Sequence, residues 1–156
     1  MTTGGQARVA VGAVAVWDEQ ILLVRRGRGP AAGTWAVPGG SVHLGEHLRE
    51  AVVREVAEET GLECVVERFL GWAERIDDDH HFVILDFLVD VLDPTRPPHA
   101  GDDAAEVHWC PLGEVRDLSL APGLDVFLED VGILGPVAPE PVQFPDVPAP
   151  PDPERP

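Results

Sequence analysis

The chain has 156 residues and a formal net charge of −17, with 11 Lys and Arg against 28 Asp and Glu. That length suits one domain with a real core, and that charge sets the chain against DNA or RNA polymers, whose binders carry a basic patch to neutralise phosphates. Cys64 and Cys110 are too few for a disulfide scaffold and lack a zinc spacing, while no signal-peptide pattern or membrane-length apolar run is visible, so the expected location is the cytoplasm.

Residues 8–17 (RVAVGAVAVW) are apolar at nearly every position and rich in valine, as in a strand buried on both faces, which implies a sheet covered on both sides. Asp18, Glu19 and Gln20 make a tight turn, and residues 21–26 (ILLVRR) return as a second strand with a basic end. Residues 27–45 are dense in glycine and proline and read as loop with short extended pieces around Trp35. Good helix formers fill 47–60, and Gly61 can take the left-handed conformation that closes a helix. Two strands, 63–76 and 81–91, flank the polar turn at 77–80 and are predicted to pair as a hairpin. A loop over 93–103, a short strand over 104–110 and a weaker helix over 124–131 follow.

Residues 1–134 are thus expected to form one mixed α/β domain. From 135 to 156 the chain holds nine of its sixteen prolines and cannot make a helix or a central strand. A disordered or partly polyproline tail is the expectation, with a proline-recognition ligand or a docked strap as the sharper alternative.

The predicted helix carries an unusual charge pattern. At about 100° per residue with Glu55 at zero, Glu58 falls near −60° and Glu59 near +40°, on the same side as Leu48, Ala51 and Val52. A solvated acidic stripe would lie opposite the apolar one, whereas here one face begins apolar and turns acidic toward the helix end. Like charges three and four residues apart repel, and the helix C-terminus is already partly negative. Arg49 and Arg54 point away from that face, at about +120° and −100°, so a divalent cation held by oxygen ligands is the natural candidate for compensation and a salt-bridged surface helix is the alternative.

The wider pattern is more specific. Gly40, Glu46, Arg54-Glu55-Val56, Glu58-Glu59 and Gly61-Leu62 match the box Gly, five residues, Glu, seven residues, Arg-Glu-apolar-any-Glu-Glu-any-Gly-apolar at every fixed position. A chance match has a probability of order 10⁻⁷ by composition. On these residues the chain resembles the Nudix hydrolases, over about residues 9–131 and not over the tail.

The resemblance implies an α/β/α sandwich with a mixed sheet and cleavage of the diphosphate bond in a nucleoside diphosphate linked to a second group. The cofactor implied is Mg²⁺, with Mn²⁺ as a substitute, held by Glu55, Glu58, Glu59 and the carbonyl of Gly40. Glu55 or Glu58 would also hold the attacking water, and Glu46 with Arg54 would be a supporting ion pair. Many relatives add an acid from a distant loop, for which Asp103 is the first choice, ahead of Asp102 and Glu106. Arg25, Arg26 or Arg28 are candidates for substrate phosphate or base, and Trp35 or Trp72 for stacking on a base, against the alternative of core packing. The expected partner is a small nucleotide, either a nucleoside triphosphate or a sugar such as ADP-ribose, with no membrane and with a homodimer left open. A nucleotide-binding regulator without catalysis is the alternative, although such relatives usually lose glutamates from the box and this chain keeps all of them.

Overall fold

The computed structural model describes residues 5–29, 31–101 and 103–137. Asp102 and the proline-rich segment from 138 onward lie outside the described residues. Strands β1 (Arg8–Trp17), β2 (Gln20–Arg26), β3 (Trp35–Ala36), β4 (Gly39–Ser41), β5 (Cys64–Ile76), β6 (His81–Val91) and β7 (Ala104–Pro111) build the sheet around helices α1 (Leu48–Thr60) and α2 (Leu124–Asp130). No helix among the described residues is long and apolar enough to cross a membrane.

The sheet runs β3-β2-β1-β6-β5, with β4 also on β1 and β7 on β2. β1 and β6 are parallel and the other pairs antiparallel, so the sheet is mixed. β1 is the branch point. Its last residues, Val16 and Trp17, pair with β2, while Ala10, Val11 and Gly12 pair with β4. The two partners diverge from one strand, and a cleft lies in the fork between them.

Both faces are covered, as the valine run of β1 requires. Val11, Ala13 and Ala15 point to one face and pack with Ala51, Val52 and Val56 of α1. Val14 and Leu88 point to the other, where they meet Val115 and Leu128. Val115 belongs to a 3-10 helix over Leu112–Asp117 that the sequence reading had not separated from its surroundings. Helix α1 ends as expected: Gly61 sits at φ 71°, and its N–H bonds the Ala57 carbonyl.

The β1–β2 turn is tighter than its sequence suggests. Only Asp18 and Glu19 lie in it, at φ 49° and 56°. A two-residue hairpin of this twist needs positive φ at both central positions, which Asn-Gly accepts readily, whereas ordinary side chains there are disfavoured by about 1–2 kcal/mol each. Replacing Asp18-Glu19 by Asn-Gly is expected to stabilise the fold by about 1–2 kcal/mol. Urea unfolding checks this, and an unchanged or lower midpoint at constant slope would contradict it.

Candidate active site

The acidic helix end meets β4 where two glycines allow contact. A side chain on Gly39 would fall on the Val11 carbonyl oxygen, and a methyl on Gly40 would stand 2.5 Å from Glu55 Oε1 and 2.7 Å from its Oε2. These glycines let β4 lie flat on β1 while the Glu55 carboxylate lies over the backbone. Glu59 reaches the same segment, accepting a hydrogen bond from the Gly39 N–H at 3.0 Å.

Arg54 ties the cluster together and corrects the helical reading. Its Nε and Nη2 donate to the two oxygens of Glu46 at 2.7 and 2.9 Å. Nη2 also reaches the Ser41 carbonyl at 3.0 Å, and Nη1 reaches Glu55 at 2.8 Å and Glu58 at 3.1 Å. The side chain starts away from the acidic face but is long enough to bend back over it, so an internal guanidinium partly compensates Glu55 and Glu58. Arg49 does turn away, to the Val66 carbonyl.

The three box glutamates therefore differ. Glu58 is open to solvent, its side chain 58 % exposed. Burial raises the Glu55 carboxyl, opposed chiefly by the Arg54 hydrogen bond. Burial pushes Glu59 up to about 7 against the pull of the Gly39 N–H, with Glu55 and Asp103 raising it further and Arg26 opposing. The Arg54 hydrogen bond holds Glu46 down at about 2. No three His, Cys, Asp or Glu side chains among the described residues stand grouped as a finished cation cage. The fit to a hard divalent cation rests instead on the chemistry of the donors and on the cradle at Gly40 that a methyl would fill.

Asp103 arrives from across the chain. Its carbonyl accepts from the Gly27 N–H at 3.1 Å, and the preceding loop is pinned to α1 by the Gly101 N–H on the Glu59 carbonyl at 3.0 Å. It lines a small recess of about 90 Å³ together with Glu59, Arg25, Arg26 and Arg28. Arg25 is also held by Glu106 at 2.7 Å, which makes Glu106 a surface partner. A slip in the β2–β7 register between Arg25 and Arg26 separates the two arginines.

Arg26 and Gly39 also line the larger cleft of about 330 Å³ in the fork of the sheet. The recess and the cleft are thus one groove, acidic and basic at one end and walled by Val37, Ile84, Phe82 and Phe127 at the other. At the floor of the apolar end lies Asp86, buried on β6 and pushed by burial up to about 6. The sequence reading missed it, although an acid inside HFVILDFLVDV was the available signal.

The two tryptophans lie elsewhere. Trp35, partly buried, packs against the α2-side core, its ring centroid 6.2 Å from that of His108, and does not line the groove. Trp72 is neither core nor groove but 63 % exposed on β5. The turn acids also stay apart from the groove: Asp77 caps its own turn through the Asp79 and His80 N–H groups.

The NUDIX domain family model matches residues 6–131. This chain belongs to the Nudix family. Among curated relatives it is 40 % identical over 113 residues to an ADP-ribose pyrophosphatase of Methanocaldococcus jannaschii, a match spanning 71 % of this chain and 66 % of that protein. Among solved structures, a MutT Nudix hydrolase of Burkholderia pseudomallei superposes with a TM-score of 0.67 at 32 % identity, over 80 % of this chain and 98 % of the other. A MutT protein of Methanosarcina mazei gives 0.72 at 26 % identity, over 80 % and 92 %. The expected Nudix α/β/α sandwich with a mixed sheet is the observed fold.

Proposed function

We propose that this Nudix protein is a divalent-metal-dependent pyrophosphohydrolase that cleaves the diphosphate bridge of a nucleoside diphosphate linked to a second group. The observation that carries this is the groove, in which the box glutamate Glu59, Asp103 and three arginines share one end and an apolar compartment of nucleoside size forms the other. The ADP-ribose pyrophosphatase relative supports a small nucleotide substrate.

The residues divide the work. Glu55, Glu58, Glu59 and the Gly40 carbonyl would hold Mg²⁺, or Mn²⁺ in its place. When bound, such an ion neutralises phosphate oxygens and lowers the pKa of water. Arg54 anchors Glu46 to the Ser41 carbonyl and so keeps the β4 loop on the helix. Arg26, which lines both compartments, would pair with a bridging phosphate. Glu55 or Glu58 would orient the attacking water, and Asp103 would add a further carboxylate from the opposite wall.

A hydrolysis screen with Mg²⁺ over nucleoside triphosphates, oxidised guanine nucleotides, ADP-ribose, NADH and dinucleoside polyphosphates tests the reading. Turnover of at least one is expected, lost with chelator. Binding without any turnover would replace it with the non-catalytic regulator. The tail from 135 is proposed to be dispensable, and a large loss of activity on truncation there would show otherwise.

A further inference from the structure

Asp86 is a carboxylate in an unusual place. β6 pairs it with Gly12 of β1 on one side and Gly71 of β5 on the other. The space it occupies exists because of Gly12, where any Cβ would overlap Asp86 Oδ1. The residue is 5 % exposed. Among the described residues it accepts no hydrogen bond and forms no ion pair, although Arg26 and Arg75 line the same cleft. A buried carboxylate without donors disfavours folding, and such unfavourable placements concentrate where a ligand supplies what the protein leaves out.

Its surroundings indicate what that ligand offers. Phe82, Ile84, Val37 and Phe127 make apolar walls, two of them aromatic, in a cleft that Arg26, Ser41, Glu74 and Arg75 also line and in which Asp86 is the buried polar group. Aromatic and aliphatic walls beside a buried carboxylate suit a flat heterocycle better than a sugar, whose hydroxyls would go unpaired against phenyl rings. An ionised carboxylate only accepts hydrogen bonds, so its complement is an edge with two adjacent N–H donors. Guanine presents such an edge in N1–H and its 2-amino group. Adenine places a lone pair at N1 beside its amino group and would set that lone pair against the carboxylate.

Building on the proposed hydrolase reading, we propose that Asp86 selects the base of the substrate, accepting hydrogen bonds from the adjacent N–H donors of a guanine-type ring. Asp86 lies across β1 from Gly39, on whose N–H Glu59 is held, and lines the apolar cleft rather than the recess of Glu59 and the arginines, so it governs which nucleoside is held rather than how the diphosphate is cleaved.

The test compares wild type and Asp86→Asn on nucleotides bearing guanine, hypoxanthine or adenine, each as ribo and 2′-deoxy forms, with Mg²⁺. Wild type is expected to rank guanine above hypoxanthine, which lacks the 2-amino donor, and hypoxanthine above adenine. Asparagine, offering one donor and one acceptor, should lower kcat/KM on guanine by about 10- to 100-fold and raise it on adenine, whose N1 lone pair and amino group an amide complements. The loss should fall mainly in KM, because the base is remote from the reacting phosphorus. Gly12→Ala, which displaces the same carboxylate, should also lower kcat/KM on guanine, and the wild-type ranking needs no variant at all. An equal loss on every base, discrimination that follows the 2′-hydroxyl, or a wild type that prefers adenine would overturn the assignment. An active wild type whose base preference survives Asp86→Asn overturns this inference alone, whereas a wild type that cleaves no nucleotide overturns the hydrolase reading with it.

Discussion

Glu59→Gln is expected to reduce kcat by about 10²- to 10³-fold, the loss that follows removal of one preorganised electrostatic group, while the melting temperature of the metal-free protein stays level or rises. The two effects separate because the Glu59 carboxyl is buried and its pKa is raised from 4.5 to about 7. For an acid raised on folding, the folded state holds its proton more tightly. Metal-free stability therefore falls as pH climbs from about 4.5 through about 7, and it does not recover above that. Glutamine keeps the Gly39 hydrogen bond as an acceptor but cannot ionise, so that loss disappears. Activity assays with Mg²⁺, together with thermal melts in chelator at pH 5 and pH 8, check both halves. Near-normal turnover would remove Glu59 from the cation-holding set, and a Tm well below wild type at pH 8 would contradict the burial argument.

Arg54→Lys should lower kcat/KM by about 10- to 100-fold, the scale of losing a group that orients metal-holding side chains. Lysine keeps the charge but not the planar fork, and four partners now depend on that fork: Glu46, Glu55, Glu58 and the Ser41 carbonyl. The same substitution should alter acid stability. Arg54 holds Glu46 below its ordinary value of 4.5, at about 2. The stabilisation from this pair is thus fully present above about 4.5 and lost as pH falls toward 2. Weakening the pair should move acid unfolding of the variant to higher pH. Circular dichroism from pH 6 to pH 2 would show it, and an Arg54→Lys protein with wild-type kinetics and an unmoved acid transition would sink the orienting role.

Where local periodicity governs, the sequence could be read closely. β1 was expected over 8–17, the helix over 47–60, the hairpin over 63–76 and 81–91, and each appears within a residue of those bounds. The site was legible at the box because its residues are neighbours on one helix and one loop. Three things were not. The parallel pairing of β1 with β6 joins segments some seventy residues apart, and alternation within a strand says nothing about its partner. The reach of Arg54 escaped a wheel drawn on Cα positions, since a long side chain ends far from where it starts. Trp35 and Asp86 mark the limit together: for the large ring, base platform and core packing were both open and it packs partly buried against the core, while the small acid in an apolar strand passed unremarked and lines the cleft.

The fork at β1 has a consequence for how selectivity is stored. One strand carries the pairing partner of Gly40 at Val11 and the partner of Asp86 at Gly12, in consecutive positions. The spacing between the diphosphate end and the base end is therefore measured by a ladder of backbone hydrogen bonds, as on a ruler whose marks cannot slide. A slip of one residue on β6 would turn Asp86 to the α1 side and offer the groove an apolar neighbour, Leu85 or Phe87, in its place. Loops around the mouth can lengthen or change without altering that measure, so base choice is written in the pairing of the sheet and only access to it is left to the surface.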